Sequence, residues 1–209
     1  MIPSNIFYNT RFGRYFRDRK YNKFFKSLAP GEVAIDCGAN IGKFTKKMCR
    51  PGVTVYAFEP DPSAFKLLSE KFRHNQNVIL VNKAVAAHSG KGKLYFDKRS
   101  GQDHVKWSIR STLLAEKPNA DPEAFSEVEI VDLAEFVRSL VKPIGMLKMD
   151  IEGAEVAVLN KLVDLGLTSK IRHIMVETHE RFPTLKESTE ALRERVKLLK
   201  LANIDLDWD

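Results

Sequence analysis

Apolar positions along this chain come in short continuous runs, and the segments between most of them carry apolar residues at helical spacing. The runs are VAID at 33–36, VTVYAFE at 53–59, VILV at 78–81, MLKMD at 146–150 and IRHIMVE at 171–177. Short runs without alternation predict strands buried on both faces. After the second run, Asp61 and Pro62 form a helix start, a capping side chain followed by proline at the first position. Phe65, Leu68 and Phe72 then share one face, as Val156, Leu159, Leu162 and Val163 do after the fourth run. Strand and helix in alternation predict an α/β fold, a mostly parallel sheet with helices on both faces.

Two stretches depart from that alternation. Residues 86–131 contain KGKLYF and SEVEIV, predicted as extra strands around a polar loop. DLAEFV follows as a helix capped by Asp132, with Glu135 at the third position. The third and fourth core strands are thus joined by a long, decorated crossover, and long loops in compact domains are often functional. The second departure is the stretch 184–209. It predicts one helix with Leu192, Val196 and Leu199 on its face, then a short alternating strand through Ile204, Leu206 and Trp208.

Composition adds a boundary. With 209 residues, 44% hydrophobic and 29% charged, the chain has apolar material for one real core. No apolar run approaches the roughly 20 residues of a membrane span. The first residues lack the apolar core of a signal peptide. Two cysteines, Cys37 and Cys49, make no disulfide framework. The expectation is a soluble, cytoplasmic protein.

Charge changes the picture at one end. The formal charge is +7, and RFGRYFRDRKYNKFFK at 11–26 holds seven Lys or Arg against Asp18 alone. Phe12, Tyr15 and Phe16 share one helical face, and Tyr21, Phe24 and Phe25 share another. On one unbroken helix the two triplets would point in nearly opposite directions, which predicts a break near 17–20. The resulting division is a basic, aromatic helical segment at 1–29 and a domain at 30–209. The preferred reading of the segment is two short helices docked on the domain with their charges solvated. The rival reading is a nucleic-acid or anionic-surface patch.

The chemistry concentrates where VAID ends. Asp36, Gly38, Ala39, Asn40 and Gly42 form a strand-to-helix bend at the sheet's carboxyl edge, where backbone N–H groups and a helix start can meet a ligand. Gly38 would let the backbone approach that ligand, and Gly42 would let the helix pack on the strand. A dinucleotide fingerprint fits poorly. With its middle glycine on Gly38, the other two fall on Asp36 and Ile41. S-adenosylmethionine has no phosphate and carries positive charge, so an acid beside the loop suits it. Glu59 lies about 20 residues past Gly38, at the tip of the second strand, where a carboxylate can accept both ribose hydroxyls. Pro60 keeps Glu59 extended.

IDCGANIGKFT, VYAFEPDP, LKMDIEGAE and VLNKL resemble, in order and spacing, the FkbM family of S-adenosylmethionine-dependent methyltransferases. The resemblance covers roughly residues 30 to 180, with KMDIEGAE its most specific motif. It implies a class I methyltransferase, Rossmann-like fold. It also implies methyl transfer to a hydroxyl of a sugar, polysaccharide or natural product. The resemblance places the cofactor's methionine part at Asp36, Gly38, Asn40 and Gly42, its ribose at Glu59, and its adenine beside Lys83 and Ala84. RSTLL at 110–114 resembles a serine-rich stretch of the family, which brings Ser111 to the pocket. A full fold of this class has seven strands. This chain reads as six, so the seventh is missing, the sequence is trimmed, or the edge is completed another way.

Loss of a hydroxyl proton calls for a base or a metal. Asp150 ends the fourth strand, and Glu177, His179 and Glu180 follow the fifth. His179 is the natural base by its ordinary pKa. Asp150 serves beside it or binds the cofactor's ammonium, and Glu177 completes the catalytic set. Glu152 and Glu155 follow Asp150 at this edge and are either further candidates or first-turn acids favoured by the helix dipole, the latter preferred for Glu155. A divalent ion on Asp150, Glu177 and His179 is possible but not favoured, since the spacing is no metal signature. His74, His88, His104 and His173 read as structural or exposed. Two other functions stay open. One is an RNA ribose methyltransferase that uses Arg11, Arg14, Arg17 and Arg19. The other is a cofactor-binding protein without catalysis. The acceptor expected is a small molecule or carbohydrate, with nucleic acid disfavoured.

Overall fold

The computed structural model describes residues 21–101, 103 and 107–208. The arginines at 11, 14, 17 and 19, the triplet Phe12, Tyr15 and Phe16, the break expected at 17–20 and His104 lie outside the described residues. Residues 21–26 are helical, and Tyr21, Phe25 and Leu28 bury against Met48, Val55, Met146 and Trp208. This part of the segment docks on the domain by its aromatic face, with Lys23 and Lys26 exposed.

The core sheet has β1 (Val33–Cys37), β2 (Thr54–Phe58), β3 (Val78–Val81), β7 (Ile144–Met149), β8 (Ile174–Val176) and β9 (Ile204–Asp205), in the order β3-β2-β1-β7-β8-β9, all parallel. The two central strands, β1 and β7, are buried at every position. That explains their unbroken apolar sequence. The connecting helices are α1 (Lys43–Met48), α2 (Pro62–Phe72), α3 (Leu133–Ser139), α4 (Glu155–Asp164) and α5 (Pro183–Leu198). Asp61 caps α2 by accepting from the backbone N–H groups of Ser63 and Ala64, and Pro62 occupies the first turn. The Asp132 side chain caps α3 in the same way through Ala134 and Glu135.

The crossover builds a second sheet, β4-β6-β5, from β4 (Ala84–Ala86), β5 (Gly90–Asp97) and β6 (Ala120–Asp132). β5 and β6 pair antiparallel, while β4 joins β6 in parallel. β4 is too short to register as a run in sequence. Residues 107–119, between β5 and β6, fold back as a strap. Tyr95 and Thr112 bridge it to β5, and the Thr112 hydroxyl donates to the Glu152 carbonyl at 2.7 Å.

The C-terminal part differs from expectation in three places. β8 begins at Ile174, not 171, because a 3-10 turn at Leu167–Lys170 delivers the chain late. Leu199 is 48% exposed and ends α5 instead of packing, whereas Leu192 is buried. β9 stops at Asp205, although Leu206 and Trp208 are both buried. The sheet therefore ends on a sixth strand parallel to its neighbour. Arg193 fastens this end through Glu180, Asp207 and the Leu206 carbonyl.

Candidate active site

The carboxyl ends of β1, β2 and β7 meet one cavity, and the crossover supplies its far wall. Gly38, Asn40, Phe58, Glu59, Pro60 and Lys83 line the side near β2. Ala84, Val85, Leu94, Ser111 and Leu113 form a largely apolar slot, and Asp150, Ile151 and Glu152 close the β7 side. Among the residues expected to hold a cofactor, Gly38, Asn40, Glu59, Pro60, Lys83, Ala84, Ser111 and Asp150 are brought together here.

Asp36, Ala39 and Gly42 are not. Asp36 is fully buried inside β1 and offers no surface to a ligand. Its Oδ2 accepts from the Thr45 hydroxyl at 2.7 Å, and its Oδ1 lies 3.2 Å from the Lys148 ammonium. The register Asp36↔Lys148 makes this pairing unavoidable. Ala39 packs with Ala57, Leu68 and Phe72. Gly42 has φ 78°, and a Cβ there would meet Phe72 and Leu68 of α2, so its tight packing is against a helix and not the strand. Gly38, at φ 75°, makes room first for protein: a Cβ would collide with the Asp150 carbonyl oxygen.

Glu59 is organised by backbone. One carboxylate oxygen accepts from Asn40 N–H at 2.7 Å and the other from Asp61 N–H at 2.8 Å. Burial nevertheless pushes its pKa up to about 8, against the opposing pull of those two N–H groups. Asn40, itself at φ 49°, also donates its side-chain amide to the Ser108 hydroxyl at 3.0 Å, which ties the glycine bend to the strap. The Ser111 hydroxyl lines the cavity, is buried, and has no hydrogen-bond partner among the described residues. An orphaned polar atom beside an apolar slot fits a ligand with a flat heteroaromatic part. A buried acceptor pair at Glu59 fits a diol. The residues present therefore suit an adenosyl cofactor.

The β7 side is acidic. Asp150 is 26% exposed at its side chain and faces the cavity, and burial, with Glu177 and Glu152 nearby, raises its pKa to about 7. His179 is not placed as a free base would be. Its side chain is fully buried, with Nε2 3.3 Å from Glu152 and 3.9 Å from Asp150, and Nδ1 3.3 Å from Glu155. These are ion-pair contacts without hydrogen-bond alignment. Burial works against the charge on His179, but Glu152 and Glu155 outweigh it and raise the pKa to about 10. The two carboxylates favour the charged ring, which disfavours His179 as the proton acceptor. Its ordinary pKa, the reason for assigning it as base, does not survive two carboxylates.

Glu177 is outside the cavity lining and lies 3.6 Å from the exposed Arg181. The donors that do converge are Asp150, Glu155 and His179, all within 4.8 Å of one another. Glu177 is not part of that trio. Both Glu155 oxygens already accept from backbone, Ile151 N–H at 2.7 Å and Gly153 N–H at 2.8 Å. With each His179 nitrogen also facing a carboxylate, the trio reads as a buried ion-pair network and not a ligand set. Glu155 thus holds the turn after β7 and does more than sit in a helix dipole.

Lys117 and Lys148 escaped the sequence reading, and Glu152, noted there only as an acid after the fourth strand, has partners that reading did not foresee. Glu152, in a left-handed conformation at φ 57°, lines the cavity with its carboxylate between His179 and Lys117. Lys117 is fully buried and reaches Glu152 from the strap, above the Phe182 ring. Lys148 lies beneath the Gly38 turn. Only the alternation within KMDIEGAE could have flagged Lys148, since a lysine inside an all-buried strand needs a partner. Of the remaining described histidines, His74 and His88 are exposed and His173 packs on Phe24.

Residues 36–200 match the Methyltransferase FkbM domain. The chain is 31% identical, over 204 aligned residues, to the 31-O-demethyl-FK506 methyltransferase FkbM of Streptomyces tacrolimicus, covering 85% of this chain and 77% of that protein. It is also 31% identical to the methyltransferase sdnD of Sordaria araneosa, covering 86% and 77% respectively. Methyltransferase 1 of Beauveria bassiana is 28% identical over 62% of this chain and 58% of its own length.

Proposed function

Because the chain belongs to the FkbM methyltransferase family and is a methyltransferase, we propose that it takes its methyl group from S-adenosylmethionine and transfers it to a hydroxyl of a sugar, polysaccharide or natural-product acceptor. The observation that carries the proposal is one cavity lined by both Glu59 and Asp150. The name of the Streptomyces relative, which specifies an O-demethyl compound, supports an oxygen acceptor.

S-adenosylmethionine, when bound, supplies an electrophilic methyl group. Glu59 accepts the ribose hydroxyls. The slot of Ala84, Val85, Leu94 and Leu113, with Ser111 at its edge, takes the adenine. Asp150 takes the acceptor's proton, since it is the carboxylate that combines exposure to the cavity with a pKa near neutrality. His179 stays protonated behind it and limits how far that carboxylate's pKa rises. The strap, pinned at Ser108, Thr112 and Lys117, walls the cavity against water.

Calorimetric titration of S-adenosylmethionine tests the first half. Glu59→Ala weakens binding at least about tenfold, or about 1.4 kcal/mol. Absence of saturable binding, or an unchanged affinity in the variant, overturns the reading. Labelled-methyl transfer to a panel of hydroxyl compounds tests the second half. Asp150→Asn lowers turnover by about two orders of magnitude while cofactor affinity stays within a few-fold. A variant that instead loses affinity makes Asp150 a cofactor ligand and not the base.

A further inference from the structure

We propose that Lys148 is a positioning residue, an internal cation that locks the Gly38 turn of the cofactor site to the Asp150 carboxylate of the acceptor site. The inference rests on the functional reading above and adds a residue to it. The Lys148 side chain is 1% exposed and does not line the cavity, so it cannot touch either ligand. It acts through what it holds. Its ammonium donates to the Gly38 carbonyl at 2.7 Å and the Cys37 carbonyl at 3.2 Å. Its charge faces Asp36 Oδ1 at 3.2 Å on one side and Asp150 Oδ2 at 3.8 Å on the other.

The surroundings leave Lys148 no alternative position. The rings of Phe44 and Trp208 stand 5.5 Å from the ammonium, so aromatic faces close the rear. In front, Gly38 abuts the Asp150 carbonyl, and Asp150 N–H donates to the Cys37 carbonyl at 3.1 Å. The ends of β1 and β7 are therefore one packed unit with a single cation at its centre. Asp36 is the counter-ion that lets that cation sit in a buried strand pair. Removing Lys148 alone would strand Asp36 as an uncompensated buried charge, which is strongly destabilising for reasons unrelated to function.

The informative variant is the double substitution Asp36→Asn with Lys148→Met. It keeps the shape, removes both charges, and leaves an amide oxygen in place of the carboxylate to accept from the Thr45 hydroxyl. Two measurements need no acceptor. The first is the titration midpoint of the Asp150 carboxyl in the ligand-free protein, followed by carbon NMR. The second is the affinity for S-adenosylhomocysteine by calorimetry. The Asp150 midpoint is expected to rise by about one pH unit or more, because a cation that favours its ionised form is gone. Affinity is expected to fall about tenfold as the Gly38 turn loosens. A folded double variant with both quantities as in the wild type overturns the proposal.

Should the double variant not fold, Lys148→Arg separates the same two effects. The charge remains, so Asp150 titrates as in the wild type, while the larger fork disturbs the Gly38 and Cys37 carbonyls and weakens affinity. An unchanged affinity in that variant likewise overturns the proposal. If S-adenosylhomocysteine fails to bind the wild-type protein, the functional reading fails, and the Asp150 titration still decides whether Lys148 governs that carboxylate.

Discussion

At the scale of single residues, this site is a problem of buried charge. Asp150 and Glu152 line the cavity, with Asp36, Lys148, Glu155, Lys117 and His179 packed behind them, and neighbouring charges shift the pKa values of Asp150, Glu152 and His179. Asp150 has a raised pKa, so its ionised fraction grows as pH rises through about 7. Turnover limited by that carboxylate rises over the same window. His179→Gln removes a cation that lowers the Asp150 pKa, so the acidic limb of the pH–rate profile moves to higher pH by a fraction of a unit to about one unit. A limb that stays in place shows that His179 does not act on Asp150. Stability carries the opposite sign at Glu59. Its folded pKa is raised from 4.5 to about 8, so its contribution is complete below pH 4.5 and lost as pH rises through about 8. The His179 contribution, with a pKa raised from 6.5 to about 10, is complete below 6.5 and lost on rising through about 10.

At the scale of elements, the bends matter more than the strands and helices they connect. The β2–α2 corner does two things at once. The Asp61 side chain caps α2, while its backbone N–H holds Glu59. Asp61→Ala removes the cap but keeps that N–H, and thermal or denaturant unfolding should record a loss of about 1 kcal/mol. Cofactor affinity should change less, since the backbone contact to Glu59 remains. The corner was legible in sequence because Asp-Pro before an apolar period has a local meaning. The β7–α4 corner was half legible. KMDIEGAE marked a turn, but Glu152 and Glu155 take different partners, one across the fold to the strap and one to backbone two and four residues away. Local sequence cannot distinguish them. The strap was seen only as a polar loop, because Thr112 and Lys117 find their partners 40 and 35 residues further on.

At the scale of the whole molecule, the C-terminus reaches back to the heart of the sheet. Trp208 is buried among Tyr21, Met146 and Met175, with its ring edge against Phe44 and over Lys148. Residues from both ends of the described chain thus close the rear of the site. Trp208→Ala should cost about 3–5 kcal/mol in equilibrium unfolding. It should also weaken cofactor binding through Lys148, whereas an equally destabilising cavity remote from β1 and β7 should not. Among the described residues no helix is long and apolar enough to cross a membrane.

What the sequence determined was whatever depends on neighbours along the chain: the buried strands, the capped helices, the glycine bend, Glu59 at the second strand tip, and the motifs that mark the family. Those features rest on periodicity and turn chemistry, which act over a few residues. The tertiary structure alone decided which acids are free and which are spent. Asp36 looked like a ligand and faces Lys148 inside the sheet, while His179 looked like a free base and is buried between Glu152 and Glu155. The physical reason is that ionisation in a buried site depends on charges a few ångströms away in space. Those charges come from β1, β7, the strap and the turn after β8, elements that no local pattern places together.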